Sequence, residues 1–189
     1  MEPLCAGSRT IWKIDWNETM KNIVLIGMPG TGKSTVGRAL AARLDYDFVD
    51  LDDLITARAG KTLPQILRQD GLEAFYALES DVGMALDREN TVVATGGSMV
   101  LYPKAMEHLR ENGVTVWLET PLHQIDDRMP EDLTDRGIAA PAGMTLRQIY
   151  EERQPLYAQY ADVIAVSLEG AEETAQQVLS LLRTVDIRL

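Results

Sequence analysis

Gly27-Met28-Pro29-Gly30-Thr31-Gly32-Lys33-Ser34-Thr35 decides how the rest of this chain is read. It has the spacing G-x-x-x-x-G-K-[ST] of a phosphate-binding P-loop. Asn22-Ile23-Val24-Leu25-Ile26 before it reads as a buried strand, and residues 35–44 after it as a helix. Strand, glycine loop and helix are the context the motif needs, which argues against a chance match. Gly27, Gly30 and Gly32 let backbone N–H groups turn inward around phosphate oxygens. The helix aims its positive dipole end at the same place. Lys33 reaches the β- and γ-phosphates as a compact cation, and the Ser34 hydroxyl is placed to ligate Mg²⁺.

The length of 189 residues suits one domain with a sizeable core. Apolar content of 46% and charged content of 25% are those of a soluble globular protein. With 18 basic and 29 acidic residues the net charge is −11, which argues against a nucleic-acid or anionic-membrane partner. A cleft can still oppose the net field and take an anionic ligand. The single cysteine, Cys5, leaves no internal disulfide and no cysteine-based zinc site. Residues 1–20 carry Arg9, Lys13, Asp15 and Glu18, which interrupt any apolar run, so they read as an extension and not a targeting segment. Trp12 and Trp16, four apart, fit a short amphipathic element. A cytoplasmic location is expected.

Further along, residues 46–50 read as a second strand and 52–59 as a helix with acidic residues in its first turn, ended by Gly60. Residues 62–90 read as mostly helical with a break near Gly71; Leu72, Phe75, Val82 and Leu86 fall at core spacing. Strands are expected at 91–95, 114–118 and 163–166, and helices at 103–111, 121–128, 146–160 and 171–185. Pro155 is expected to bend or break its helix. Residues 129–143, rich in Pro, Asp, Gly and Ala without a period, read as a mobile loop. Alternating strands and helices imply a parallel sheet covered on both faces, with ligands at the carboxyl ends of its strands.

Three turns end there: the P-loop, Asp50-Leu51-Asp52 and Gly96-Gly97-Ser98. Asp50 and Asp52 suit either Mg²⁺ or a substrate hydroxyl whose proton they accept. The alternative is helix capping, preferred for Asp53. Gly96-Gly97 allows a ligand close to backbone N–H groups, or is a plain turn. Arg128 and Arg136 flank the loop, where an arginine arriving over phosphates offsets charge on the transferring group; the plain reading is surface charge. Arg153 either grips a carboxylate bidentately or pairs with neighbouring acids along its helix. His108 and His123 read as surface residues.

In order from about residue 21 to 185, the P-loop with Val36-Gly37-Arg38, Asp50-Leu51-Asp52, Phe75-x-x-x-Glu79, Gly96-Gly97, the Arg128/Arg136 pair and Glu152-Arg153-x-Pro155-Leu156-Tyr157 resemble a shikimate kinase. The resemblance implies a three-layer α/β P-loop fold of the nucleoside-monophosphate-kinase type. Its five-stranded parallel sheet would have order 2-3-1-4-5, with a lid at 129–143 on a single kinase domain at 21–189. It implies transfer of the ATP γ-phosphate to a hydroxyl of shikimate, with Mg²⁺; a monomer is expected. Lys33 and Arg136 would then stabilise the transferring group, and Ser34 would hold Mg²⁺ with help from Asp50. Asp52 would bind the hydroxyls and orient or deprotonate the nucleophile. Gly30, Thr31, Gly32 and Thr35 would complete the ATP site, and Arg128 would lie by the adenine. Gly96, Gly97, Arg153 and the residue at 76 would face the substrate.

Three positions depart from the family. Tyr76 replaces an arginine that would share the carboxylate with Arg153; losing such a bond costs about 1.5–3 kcal/mol, or about ten- to a hundred-fold in affinity. Ser98 replaces a third glycine. The lid reads Arg136-Gly137-Ile138-Ala139 in an acidic setting of Glu131, Asp132 and Asp135. Together they point to a less positive acceptor pocket. Shikimate is the leading acceptor, a less anionic hydroxylated metabolite the second, and a nucleotide-binding regulatory domain without efficient transfer the third. The intact Lys33, Ser34, Asp50, Asp52 and Arg136 speak against the third.

Overall fold

The computed structural model describes residues 22–130 and 132–184. The extension at 1–20 with Trp12 and Trp16, Glu131, and the end of the last expected helix at 185 lie outside the described residues.

Strand β1 (Asn22–Ile26) is buried along its whole length because it lies in the middle of the sheet. Its alternation divides the core: Val24 and Ile26 enter one apolar cluster, Ile23 and Leu25 the other. Strands β2 (Asp47–Asp50), β3 (Thr91–Ala94), β4 (Gly113–Glu119) and β5 (Val163–Val166) complete an all-parallel sheet in the order β2-β3-β1-β4-β5, as the resemblance implies. The second cluster packs under α1 (Lys33–Leu44) and α8 (Ala171–Leu182). The first takes side chains from α2 (Leu51–Ala59), α3 (Leu63–Gln69), α4 (Leu72–Met84), α5 (Pro103–Glu111), α6 (Leu122–Asp126) and α7 (Leu146–Tyr160). No helix among the described residues is long and apolar enough to cross a membrane.

Local chemistry sets several boundaries. Gly60 ends α2 in a left-handed conformation, φ 63°. The expected stretch 62–90 is two helices. Thr62 and Gln65 form a reciprocal capping box on α3, and Gly71, at φ 88°, turns the chain into α4. Helix α4 stops at Met84, short of residue 90. Residues 87–90 are exposed and polar, so no apolar stripe holds a helix there. The Asn22 side chain instead donates to the Arg88 carbonyl and accepts from Thr91 N–H, fixing entry into β3.

Three other expectations change. Helix α6 is limited to Leu122–Asp126. The loop at 129–143 contains a 3₁₀ turn, Leu133–Arg136, closed by Gly137, and its Ile138 and Ala139 are buried. Helix α7 runs through Pro155 unbroken. Pro155 and Glu151 both face solvent, so water serves the carbonyl that Pro155 leaves without a donor.

Candidate active site

The P-loop leaves β1 with Gly27, Gly30 and Gly32 all at positive φ, at 142°, 81° and 87°. A Cβ on Gly27 would stand 2.7 Å from the Leu118 carbonyl, so the neighbouring strand also demands glycine there. Thr31 turns inward: its hydroxyl donates to the Met28 carbonyl, and its own carbonyl accepts from Ser167. Thr31 therefore ties the loop together and to the end of β5. Lys33 starts α1 and folds its ammonium back across the loop, donating to Gly27 O at 2.7 Å and Met28 O at 2.8 Å. Burial lowers its pKa to about 8, against the pull of Asp52 and Asp50.

Asp50, at the end of β2, does two jobs. Its Oδ1 accepts from Asp52 N–H and caps α2, while its Oδ2 accepts from the Ser34 hydroxyl at 2.6 Å. The cap assigned from sequence to Asp53 is thus Asp50; Asp53 is exposed in the first turn. Burial, with the neighbouring Asp50, raises Asp52 to about 6.

A cavity of about 680 Å³ opens over these groups. Lys33, Ser34, Thr35, Asp52 and Arg136 line it, together with Gly96, Gly97, Glu79 and Arg153. Gly97 is pressed by the P-loop itself, since a Cβ there would stand 2.5 Å from Pro29 Cδ. Its carbonyl accepts from the Tyr157 hydroxyl at 2.6 Å. Arg153 is 1% exposed on α7; its Nη2 donates to the Ala139 carbonyl in the lid, and its Nε has no partner. That disposes of the alternative reading of Arg153 as half of a surface pair. Arg128 stays exposed outside the cavity and donates to Gly30 O at 3.0 Å.

The structure places three further residues read from the sequence. Tyr76 does not line the cavity. Its ring packs edge-on against Tyr102, centroids 5.8 Å apart, because α4 turns position 76 toward the 3₁₀ turn Met99–Leu101 and its successor Tyr102. Ser98 lines the cavity, and its buried hydroxyl donates to Glu79 Oε2 at 2.6 Å. His108, read as a surface residue, is half-buried and bonds the Leu86 carbonyl at 2.8 Å.

Glu79, read from the sequence as part of the Phe75-x-x-x-Glu79 motif but given no role of its own, also lines the cavity. It is fully buried, and burial raises its pKa to about 7 although Ser98 and Tyr102 both donate to it. The available signal was a carboxylate four residues after Phe75, on the stripe of α4 that otherwise carries core residues.

A parallel sheet with a phosphate-binding loop at its centre, and with Arg136 of the loop at 129–143 lining the same cavity, places the chain among the P-loop phosphotransferases. The family profile described as shikimate kinase matches residues 29–183. A shikimate kinase of Synechococcus sp. (strain CC9902) is 38% identical over 168 residues, covering 87% of each chain. One of Nitratidesulfovibrio vulgaris is 44% identical over 148 residues, covering 74% of this chain and 82% of the relative. Among solved structures, the shikimate kinase from Acinetobacter baumannii in complex with shikimate superposes with a TM-score of 0.80 at 32% identity. That match covers 90% of this chain and 97% of that one. The chain belongs to the shikimate kinase family.

Proposed function

We propose that this protein transfers the γ-phosphoryl group of ATP to a hydroxyl of shikimate. The observation that carries the reading is the cavity, where buried Arg153, with one N–H free, faces the same space as Lys33 of the P-loop. A carboxylated acceptor held at Arg153 lies with its ring along Gly96 and Gly97 and its hydroxyls toward Asp52. Asp52, raised toward neutrality by burial, orients the nucleophilic hydroxyl and accepts its proton. The P-loop amides, Lys33 and Arg136 receive the charge that develops on the transferring group. Gly30, Thr31, Gly32, Ser34 and Thr35 hold the phosphates, and Arg128, beside Gly30, flanks the nucleotide.

The donors fit Mg²⁺. They are hard oxygens, the Ser34 hydroxyl and the Asp50 carboxylate, and no cluster of three His, Cys, Asp or Glu exists among the described residues. Such a set suits a cation that keeps several waters and takes phosphate oxygens. When bound, Mg²⁺ supplies charge neutralisation at the β- and γ-phosphates. The same reading makes residues 21–189 one kinase domain with a lid at 129–143, preceded by an extension at 1–20. It is a cytoplasmic monomer acting on a small molecule, with no nucleic-acid or membrane partner. The net charge of −11 supports the last point.

A second reading, a less anionic hydroxylated acceptor, is favoured by the cavity wall. The wall carries Asp52, Asp53, Glu79 and Asp135 against Lys33, Arg136 and Arg153, and Tyr76 adds no cation. One assay tests both: ADP production from MgATP with and without shikimate, for wild type and Tyr76→Arg. Shikimate-dependent turnover in the wild type, at a sub-millimolar KM of the order usual for enzymes, supports shikimate. Turnover gained only in Tyr76→Arg moves the assignment to the second reading.

A further inference from the structure

Glu79 lies on the acceptor side of the cavity with unequal oxygens. Oε2 accepts from Ser98 at 2.6 Å and from Tyr102 at 3.0 Å. Oε1 is buried and has no hydrogen-bond partner among the described residues. Its position is fixed by Gly96: a Cβ built there would collide with Glu79 Oε1 and stand 3.1 Å from Asp52 Oδ1. The two carboxyl oxygens thus flank one point beside Gly96, and all three residues line the same cavity. The charged groups that act on Glu79 are Asp52 from α2, Arg153 from α7 and Lys33 from α1. None of them donates a hydrogen bond to it. Tyr76, also on α4, supports the Tyr102 ring from outside the cavity.

We propose that Ser98 and Tyr102 are specificity-determining positioning residues: by occupying one oxygen of Glu79 they present the other to an acceptor hydroxyl adjacent to the one held by Asp52. Asp52 and Glu79 then read a vicinal diol together. A buried oxygen without a partner is costly, and a ligand hydroxyl removes that cost. Glu79 Oε1 serves it in either protonation state, accepting when ionised and donating when protonated. An acceptor lacking that hydroxyl leaves the oxygen unpaired and is rejected, which is how a built polar site discriminates most strongly. The inference rests on the acceptor proposed above.

The test compares kcat/KM for shikimate with that for each of its mono-deoxy analogues, in wild type, Ser98→Ala, Tyr102→Phe, the double variant and Ser98→Thr. In the wild type, the analogue that keeps the nucleophilic hydroxyl but lacks the hydroxyl next to it is used at least about ten-fold less well than shikimate. In the double variant that penalty falls to about three-fold or less, while KM for ATP holds, and Ser98→Thr restores most of the discrimination. A double variant that binds ATP normally yet discriminates as the wild type does overturns the inference and leaves the proposed function standing. A wild type that does not use shikimate at all removes both.

Discussion

Lys33 shows what a residue must give up to serve phosphate. The residue is 8% exposed, its ammonium is satisfied by two P-loop carbonyls, and burial alone would strip its proton well before the usual lysine range. Asp50 and Asp52 restore part of the charge. The cation is thus held by contacts that phosphate oxygens can take over, so it arrives organised for the charge of the transferring group. Lys33→Ala deletes that cation from a loop whose shape is set by Gly27, Gly30, Gly32 and the Thr31 hydroxyl. Turnover falls by at least about a thousand-fold on the scale of such electrostatic groups, while the circular dichroism spectrum and cooperative melting remain. A Lys33→Ala protein with more than about a tenth of wild-type turnover would contradict the role given to the P-loop here.

At the scale of elements, the loop at 129–143, proposed above as a lid, is the informative one. Its 3₁₀ turn is tied to α3, because Arg68 contacts Asp135 directly and Asp132 at 3.6 Å. Gly137 lies against Leu63, where a Cβ would approach Leu63 Cβ to 2.6 Å. At its other end, Ala139 accepts from Arg153. The acidic character that sets this lid apart from the family pattern therefore has a partner on α3 that the sequence does not reveal. The partners are 64 and 67 residues apart, and no periodicity links them. Pro155 and the shortened α4 were illegible for a similar reason: solvent exposure of a carbonyl, and the Asn22 side chain reaching 66 residues ahead, decide them. The P-loop and the Gly60 stop were legible because their causes lie within a few residues. Both side chains of the latch are more than half exposed, so water and salt screen the pair and it is weak. Arg68→Ala then raises amide exchange at residues 133–138 by about five-fold or less, mimicked in the wild type by added salt. Melting temperature stays within about 2 °C. Exchange unchanged in Arg68→Ala, or insensitive to salt, would show that the ion pairs do not hold the lid.

For the whole molecule, the sheet order and the position of the site at its carboxyl edge follow from alternating strands and helices. The electrostatics of the cavity follow only from burial. A chain of net charge −11 encloses Glu79 completely, and burial raises that carboxyl from the ordinary 4.5 to about 7. Asp52 moves the same way, to about 6. A carboxyl whose folded value lies above its unfolded value binds its proton more tightly in the folded state. Between about 4.5 and 7 the folded protein therefore carries more protons than the unfolded chain, and stability rises as pH falls. Acid also discharges surface carboxylates and relieves self-repulsion. Lys33, lowered to about 8, acts only in the alkaline window between its folded and ordinary values, where stability rises with pH. Stability should therefore be lowest near pH 7 to 8. From the Glu79 shift alone, moving from pH 7.5 to 5.5 adds about 2 kcal/mol, or about 5 °C in Tm for a chain of this size. Glu79→Gln retains an oxygen that accepts from Ser98 and Tyr102 but cannot ionise. It melts higher than wild type at pH 7.5, loses most of the pH slope between 5.5 and 7.5, and turns over the acceptor poorly, as expected where an active site holds a destabilising charge. Melting curves across that range decide the matter. A wild-type Tm that is flat or rises with pH, or a Glu79→Gln protein with the wild-type slope, would show that the buried carboxylate does not set the stability of this fold.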